Sequence, residues 1–170
     1  MTSRSAFDRG LSHFPSRRIW LALPLLLGVL LGLPTRLPAQ AGSSEGRFEA
    51  NIRAFEELDH KQHPPQHAIL FVGSSSIRLW DLSHYFPGLP VINRGFGGSE
   101  MEDVLRYMDR IVIPYRPRTI VLYEGDNDLA RGKAPQQICD QLEEFIQKVR
   151  VRLPRVRIIV IGVKPSIRRW

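Results

Sequence analysis

The sequence predicts an α/β fold, a parallel β-sheet covered by helices. A continuous apolar run of strand length stands at residues 68–72, and largely apolar stretches at 119–123 and 156–163, with a shorter one at 90–93. Stretches with apolar residues at helical spacing alternate with them, at 101–112 and 138–153. A strand that is apolar on both faces belongs in a sheet with helices on both sides. Alternating strand and helix units give parallel pairing through right-handed crossovers.

Each element has a local reason. Phe48, Ile52, Phe55 and Leu58 recur at helical spacing and predict a first helix over 47–60, stopped by Pro64-Pro65. Ala68 to Val72 is the first strand, and Gly73 closes it. Ile77, Leu79, Trp80 and Leu82 continue as a helical turn or two. Residues 90–93 form a short second strand. Met101, Val104, Leu105, Met108, Ile111 and Val112 share one helical stripe. Pro117 precedes the third strand. Ile138, Leu142, Phe145, Ile146, Val149 and Leu153 mark a strong amphipathic helix closed by Pro154. The fourth strand ends at Val163 and the chain stops seven residues later, which reads as a fold cut short at its C-terminus.

The first 41 residues are expected to stand outside this fold. Arg4, Arg9, Arg17 and Arg18 face a single acid, Asp8, and Ile19 to Leu33 is a run of apolar residues, Gly and Pro. Ala39-Gln40-Ala41 follows as a small-x-small site. That is the plan of a cleavable secretory signal, and the run is short for a membrane span of about 20 apolar residues. Arg17-Arg18 also fits a twin-arginine signal. An uncleaved signal-anchor is the third form, and the one way a membrane would enter. In each case the domain is exported, to a periplasmic or extracellular space. Residues 42–46 read as a linker and 47–170 as the folded domain.

Five arginines and one aspartate lie in the signal, so the remainder keeps 19 basic and 16 acidic residues and its net charge drops from +7 to +3. No nucleic-acid partner is expected. The basic residues from Lys148 to Arg157 fall largely at a helix end, where the macrodipole favours cations, and do not form a stripe on one face. Cys139 is the only cysteine, which leaves no intrachain disulfide. It is expected as a buried or half-buried, inert thiol.

Ligands of an open α/β sheet bind at the carboxyl ends of the strands. Gly73-Ser74-Ser75-Ser76 follows the first strand, Asn93-Arg94-Gly95-Phe96-Gly97-Gly98-Ser99 the second, and Glu124-Gly125-Asp126-Asn127-Asp128 the third. Taken singly these are an N-cap, a flexible turn and a hydrated acidic loop. Taken together they suit acyl transfer. A Ser at a tight strand-to-helix turn presents its hydroxyl while its own N–H faces a developing oxyanion. A Gly N–H can approach closely because no side chain intervenes, and an Asn carboxamide adds a third donor.

These three blocks resemble those of the SGNH or GDSL-type hydrolases, close to the branch of platelet-activating-factor acetylhydrolase-like and thioesterase-like enzymes. The resemblance runs from about Ala68 to the end of the chain. It implies a three-layer α/β/α fold with a flavodoxin-like parallel sheet, and a serine esterase working through an acyl-enzyme. Ser75 falls on the nucleophile, Gly98 on the oxyanion glycine and Asn127 on the oxyanion asparagine. It implies a small-molecule ester as substrate, and no metal and no cofactor. Ser74 stands where the pattern has Asp. The family's last block, Asp-x-x-His, has no counterpart in these residues.

All five histidines, His13, His60, His63, His67 and His84, precede the second block. His60, His63 and His67 flank Pro64-Pro65, at the end of the sheet opposite Ser75. A metal there is disfavoured, since no Cys or acid joins them. His84 is expected to face solvent. Without a base the Ser hydroxyl is a weak nucleophile, so the chain as it stands is expected to be nearly inactive. Two other classes compete: a non-catalytic acyl- or glycan-binding module on the same scaffold, and phosphate binding by the Gly95–Gly98 loop. The sequence leaves the particular ester and the oligomeric state open.

Overall fold

The structure is a computed structural model that describes residues 46–165. The expected signal and all but the last residue of the expected linker lie outside the described residues. Four strands form one parallel sheet: β1 (Ile69–Gly73), β2 (Val91–Gly95), β3 (Thr119–Tyr123) and β4 (Arg157–Val160), in the order β2-β1-β3-β4. The helices are α1 (Glu49–Gln62), α2 (Ser75–Arg78), α3 (Leu82–Tyr85), α4 (Met101–Ile111), α5 (Asp126–Ala130) and α6 (Pro135–Arg152). A 3-10 turn spans Ile113–Tyr115. The predicted α/β class and flavodoxin-like strand order are both present.

The strand order dictates where the helices lie. The chain runs from β1 outward to β2, then returns past β1 to β3 and β4. Right-handed crossovers then send α2 and α3 to one face, and α4 and α6 to the other. The period-two alternation of the strands matches. Leu70, Val72, Ile92, Ile120 and Leu122 pack in one cluster with Ile52 of α1, Val104 and Ile111 of α4, and Phe145 and Val149 of α6. Phe71, Val121 and Tyr123 meet Ile77, Leu82, Trp80 and Phe86 on the opposite face. Each fully buried side chain of this kind contributes about 1.5–3 kcal/mol.

Local chemistry starts the long helices. Glu100 is the N-cap of α4, and the Asp103 side chain reaches back to accept from the Glu100 N–H at 3.0 Å, one half of a capping box. Pro135 opens α6, where a missing N–H costs nothing. Buried Arg94 of β2 ties α1 to the sheet. It donates to Asp59 of α1, and at 2.6 Å to the Tyr115 hydroxyl. That hydroxyl in turn donates to Asp59. Burial, with the Asp59 carboxylate beside it, pushes the Tyr115 phenol up to about 12.

Three expectations change. Cys139 is exposed, not buried. It follows Ile138 by one residue, and a step of one on a helix turns the side chain off the apolar stripe. The fourth strand is shorter than expected, and its Ile159 and Val160 are each 44% exposed. It stands at the edge of the sheet, with a paired neighbour on one side only among the described residues. Leu79, read as part of an apolar turn, is 71% exposed at the C-cap of α2.

Gly95 shows how tightly α2 sits on β2. A Cβ there would lie 2.3 Å from the Arg78 backbone nitrogen. Gly95→Ala therefore forces backbone apart, and we expect it to destabilise the fold by about 2 kcal/mol or more, read from urea unfolding midpoints at constant slope.

Candidate active site

The first three strands end level with one another. Gly73 of β1 is in register with Gly95 of β2 and with Tyr123 of β3. The loops that follow are tied by backbone bonds at once: the Ser74 N–H donates to the Tyr123 carbonyl at 3.2 Å, and the Phe96 N–H to the Gly73 carbonyl at 2.9 Å. β1 is also the point at which the strand order reverses, the position where open α/β sheets bind ligands.

Ser75 is the first residue of α2, half-buried, with buried Ser74 as the N-cap. The first N–H groups of a helix have no partner inside it, so the Ser75 amide is available by position. Asn93 fixes the turn from the side. Its Nδ2 donates to the Ile77 carbonyl at 2.8 Å, and its Oδ1 accepts from the Gly95 N–H at 2.9 Å. Gly98 lies in the second loop with φ of +85°, which favours glycine even though a Cβ would meet nothing within 4 Å. Asn127 is the second residue of α5, and its Nδ2 donates to the Ser99 carbonyl at 2.8 Å. The second and third loops are thus bonded to each other, and the first is bonded to both. All three predicted site residues stand on this one lip of the sheet.

No histidine joins them among the described residues. His60, His63 and His67 are exposed on α1 and the connection before β1. His84 is exposed on α3, its ring edge-on to Tyr85. No group of three or more metal-binding side chains is present among the described residues.

Beneath the lip lies an ionic layer that the motifs do not announce. Glu100, Asp103, Glu124 and Asp128 are all buried. Asp128 accepts the Met101 N–H at the start of α4 and pairs with Lys133 at 2.8 Å. Glu100 pairs with Arg131 and, at 3.2 Å, with Lys133. Asp103 pairs with Arg47 at 3.0 Å. Burial pushes the Asp103 carboxyl up, and Arg47 opposes it. The Ser99 hydroxyl donates to Glu124 Oε1. Burial raises the Glu124 carboxyl well above the usual range, against the Ser99 bond, and the nearby Asp128 and Asp103 push it the same way as burial. The sequence signal for Glu124 is an acid set directly after an unbroken apolar strand.

Two grooves flank the sheet. The larger, about 640 Å³, runs along the face of β1, β3 and β4 past Phe71, Trp80, Phe86, Val121 and Ile161. It also takes in Ile69, Arg118 and Thr119, at the amino ends of the strands, so its body is away from Ser75. A smaller one of about 220 Å³ sits beside α2, lined by Ser76, Ile77, Trp80, Tyr123, Ile161 and Lys164. The smaller groove includes Ser76, the residue after Ser75, while Ser75 itself is not among its lining.

Fold and lip define an α/β protein with a parallel, flavodoxin-like sheet and its loops gathered at the strand ends. The profile of the GDSL-like lipase/acylhydrolase family matches residues 78–170, and the chain belongs to that family. The matched stretch contains Gly98 and Asn127 and begins three residues after Ser75. Subunit alpha1 of platelet-activating factor acetylhydrolase IB from Bos taurus is similar, 26% identical over 133 residues that cover 75% of this chain and 55% of that protein. Subunit alpha2 from Rattus norvegicus is 29% identical over 139 residues, covering 78% of this chain and 58% of that protein. The chain thus spans little more than half the length of these relatives. A GDSL-like lipase from Bacteroides thetaiotaomicron shares the fold, with a TM-score of 0.61 at 18% identity over 69% of this chain and 60% of that one.

Asp128 is fully buried and serves both a helix start and a cation. Breaking such a pair from one side costs about 3 kcal/mol, and we expect Asp128→Ala to lower unfolding free energy by about that much. Asp128→Asn keeps an acceptor for the Met101 N–H, and chemical denaturation should show a visibly smaller loss.

Proposed function

We propose that the chain hydrolyses carboxylic esters through Ser75 and an acyl-enzyme, within an enzyme that also supplies a general base. The observation that supports this most is the level ending of β1, β2 and β3, with their three loops bonded together. In this reading Ser75 Oγ attacks the acyl carbon and gives up its proton to the base. The carbonyl oxygen becomes an oxyanion. The Ser75 N–H, the Gly98 N–H and the Asn127 carboxamide take its charge. The C–O bond to the alcohol breaks, the alcohol leaves with the proton, and water then releases the acid. Losing one oxyanion donor typically costs about 10²–10³ in rate.

The acyl portion is assigned to the groove beside α2. Its size and its Trp80 and Tyr123 walls suit a short acyl group, and the name of the acetylhydrolase relatives agrees with an acetyl ester. Residues 1–41 are assigned to export, on their basic start and apolar run. N-terminal sequencing of the secreted form checks cleavage after Ala41.

The base is the part these residues do not offer, since the described histidines are exposed and lie on other elements. The 170-residue chain alone is accordingly assigned a very low rate. That gap favours a second reading, an acyl- or glycan-binding module on the same lip.

In a serine protease, loss of the His or the Ser alone costs about as much as loss of the whole triad, near 10⁶ in turnover. The consequence is specific. With p-nitrophenyl acetate, Ser75→Ala should change the slow rate of the 170-residue chain by less than about 10-fold. In a longer product with Asp-x-x-His, Ser75→Ala should remove about 10⁶, and a fluorophosphonate probe should label Ser75. A longer product that keeps its rate without Ser75 refutes the mechanism. One that binds esters but never turns them over establishes the second reading.

A further inference from the structure

We propose that Glu124 is a positioning residue of this site: its hydrogen bond with Ser99 sets the separation of the Gly98 amide and the Asn127 carboxamide. The inference rests on the assignment of those two groups as oxyanion donors.

Ser99 is fully buried and held at both ends by one loop. Its hydroxyl donates to Glu124 Oε1, and its carbonyl accepts from Asn127 Nδ2 at 2.8 Å. Glu124 and Asn127 are three residues apart, across Gly125, whose φ is +108°. The two bonds and that short stretch of chain close a ring. Gly98 precedes Ser99, and its N–H lies one Cα beyond the Gly98–Ser99 peptide, so a shift of Ser99 reaches that N–H through the backbone of Gly98. One donor is on the ring and the other is bonded to its edge.

Glu124 does this as a neutral acid. The layer has four buried acids, Glu100, Asp103, Glu124 and Asp128, faced by three cations, exposed Arg47 and Arg131 and half-buried Lys133. The cations go to Glu100, Asp103 and Asp128. No ion pair reaches Glu124 among the described residues, and its Oε2 has no hydrogen-bond partner. The charged groups that face it, Asp103 from α4 and Asp128 from α5, are both negative. A proton on Glu124 brings the layer to neutrality and leaves a carbonyl oxygen to accept from Ser99. A carboxylate there would be a buried, unpaired charge beside two others, which is costly.

The sign of the pH effect follows. A carboxyl raised in the folded state contributes stability that is full at low pH and is lost as pH rises through the raised value. Asp103 is raised as well, so it adds a slope of the same sign that remains when Glu124 is replaced.

The test compares Glu124→Gln, Glu124→Ala and Ser99→Ala with Asn127→Ala in the 170-residue chain. Three readouts are used: the NMR signals of the Gly98 amide and Asn127 carboxamide, the residual turnover of p-nitrophenyl acetate split into kcat and KM, and urea unfolding against pH. Glu124→Gln should keep both signals and kcat, and should flatten part of the stability loss at rising pH. Ser99→Ala and Glu124→Ala should shift both signals and lower kcat about 10-fold at constant KM, less than the ~10² or more expected for deleting a donor in Asn127→Ala. Signals that stay in place in Ser99→Ala, a mild truncation, overturn the proposal even if Glu124→Ala fails to fold. If Asn127→Ala lowers turnover while Ser99→Ala does not, the positioning role fails and the oxyanion assignment stands. If Asn127→Ala has no effect on turnover, the oxyanion assignment itself fails. Glu124→Gln behaving like Glu124→Ala overturns the neutral acid.

Discussion

No Cβ can stand between the end of β1 and the end of β3. At Gly73 it would lie 2.1 Å from the Tyr123 carbonyl oxygen, and the residue also holds a φ of +141°. That single close approach lets the Ser74 N–H reach Tyr123, and it starts the turn into α2 immediately after the strand. Gly95 repeats the device on the other side, against the backbone of Arg78. Two glycines therefore hold α2 between the ends of its neighbours, and Ser75 has no freedom to be elsewhere. The rest of the lip is built outward from this point. β2 and β3 can present their loops at the same height only because β1 lets their backbones close in.

Holding backbone this close concentrates polar groups in a dry place. The start of α4, the end of β3 and the start of α5 all converge there, and each brings an acid. The molecule resolves the resulting charge by local pairing. Arg47 comes from just before α1, and Arg131 and Lys133 from just after α5. Three cations for four acids leaves one carboxyl without an ion pair among the described residues. The deepest acid without a cation is the one that reaches Ser99. The electrostatic solution and the mechanical tie between loops are thus one arrangement. Arg94 with Asp59 and Tyr115 solves a similar problem on the outer strand, where a buried guanidinium is matched by one carboxylate and one hydroxyl.

Much of this was readable from the chain because its information is local. Gly73, Gly95 and the apolar runs report backbone demands and burial within a few residues. The three loops followed from reading what comes after each strand, and the resemblance to the family's blocks picked Ser75, Gly98 and Asn127 within them. Glu124 and Ser99 were not readable as a pair, since they lie 25 residues apart and meet only across two parallel strands. An acid ending an apolar strand gave a hint of something unusual but no partner. Cys139 failed for a different reason: a helix stripe identifies its own members, and a neighbour one step away can face solvent. β4 failed because strand composition reports apolarity and says nothing of whether a neighbour stands on each side. Edge and centre are properties of the sheet.

The two halves of serine catalysis differ in what they ask of a fold. Oxyanion stabilisation needs donors fixed in place, and in the proposed site the bonds that join the loops to one another run between residues 73 and 128, with Arg47 and Arg131 added on the Gly98 carbonyl. A general base needs only to reach one hydroxyl from outside the lip, and it can come from an element that takes no part in holding the donors. The rates scale accordingly, about 10²–10³ for a donor and about 10⁶ for the base or nucleophile. A domain can therefore carry a fully built oxyanion site and still turn over slowly. What the lip of this sheet secures is the geometry, which depends on backbone register and on the buried tie between Glu124 and Ser99. The chemistry that uses it depends on whatever brings a base to Ser75.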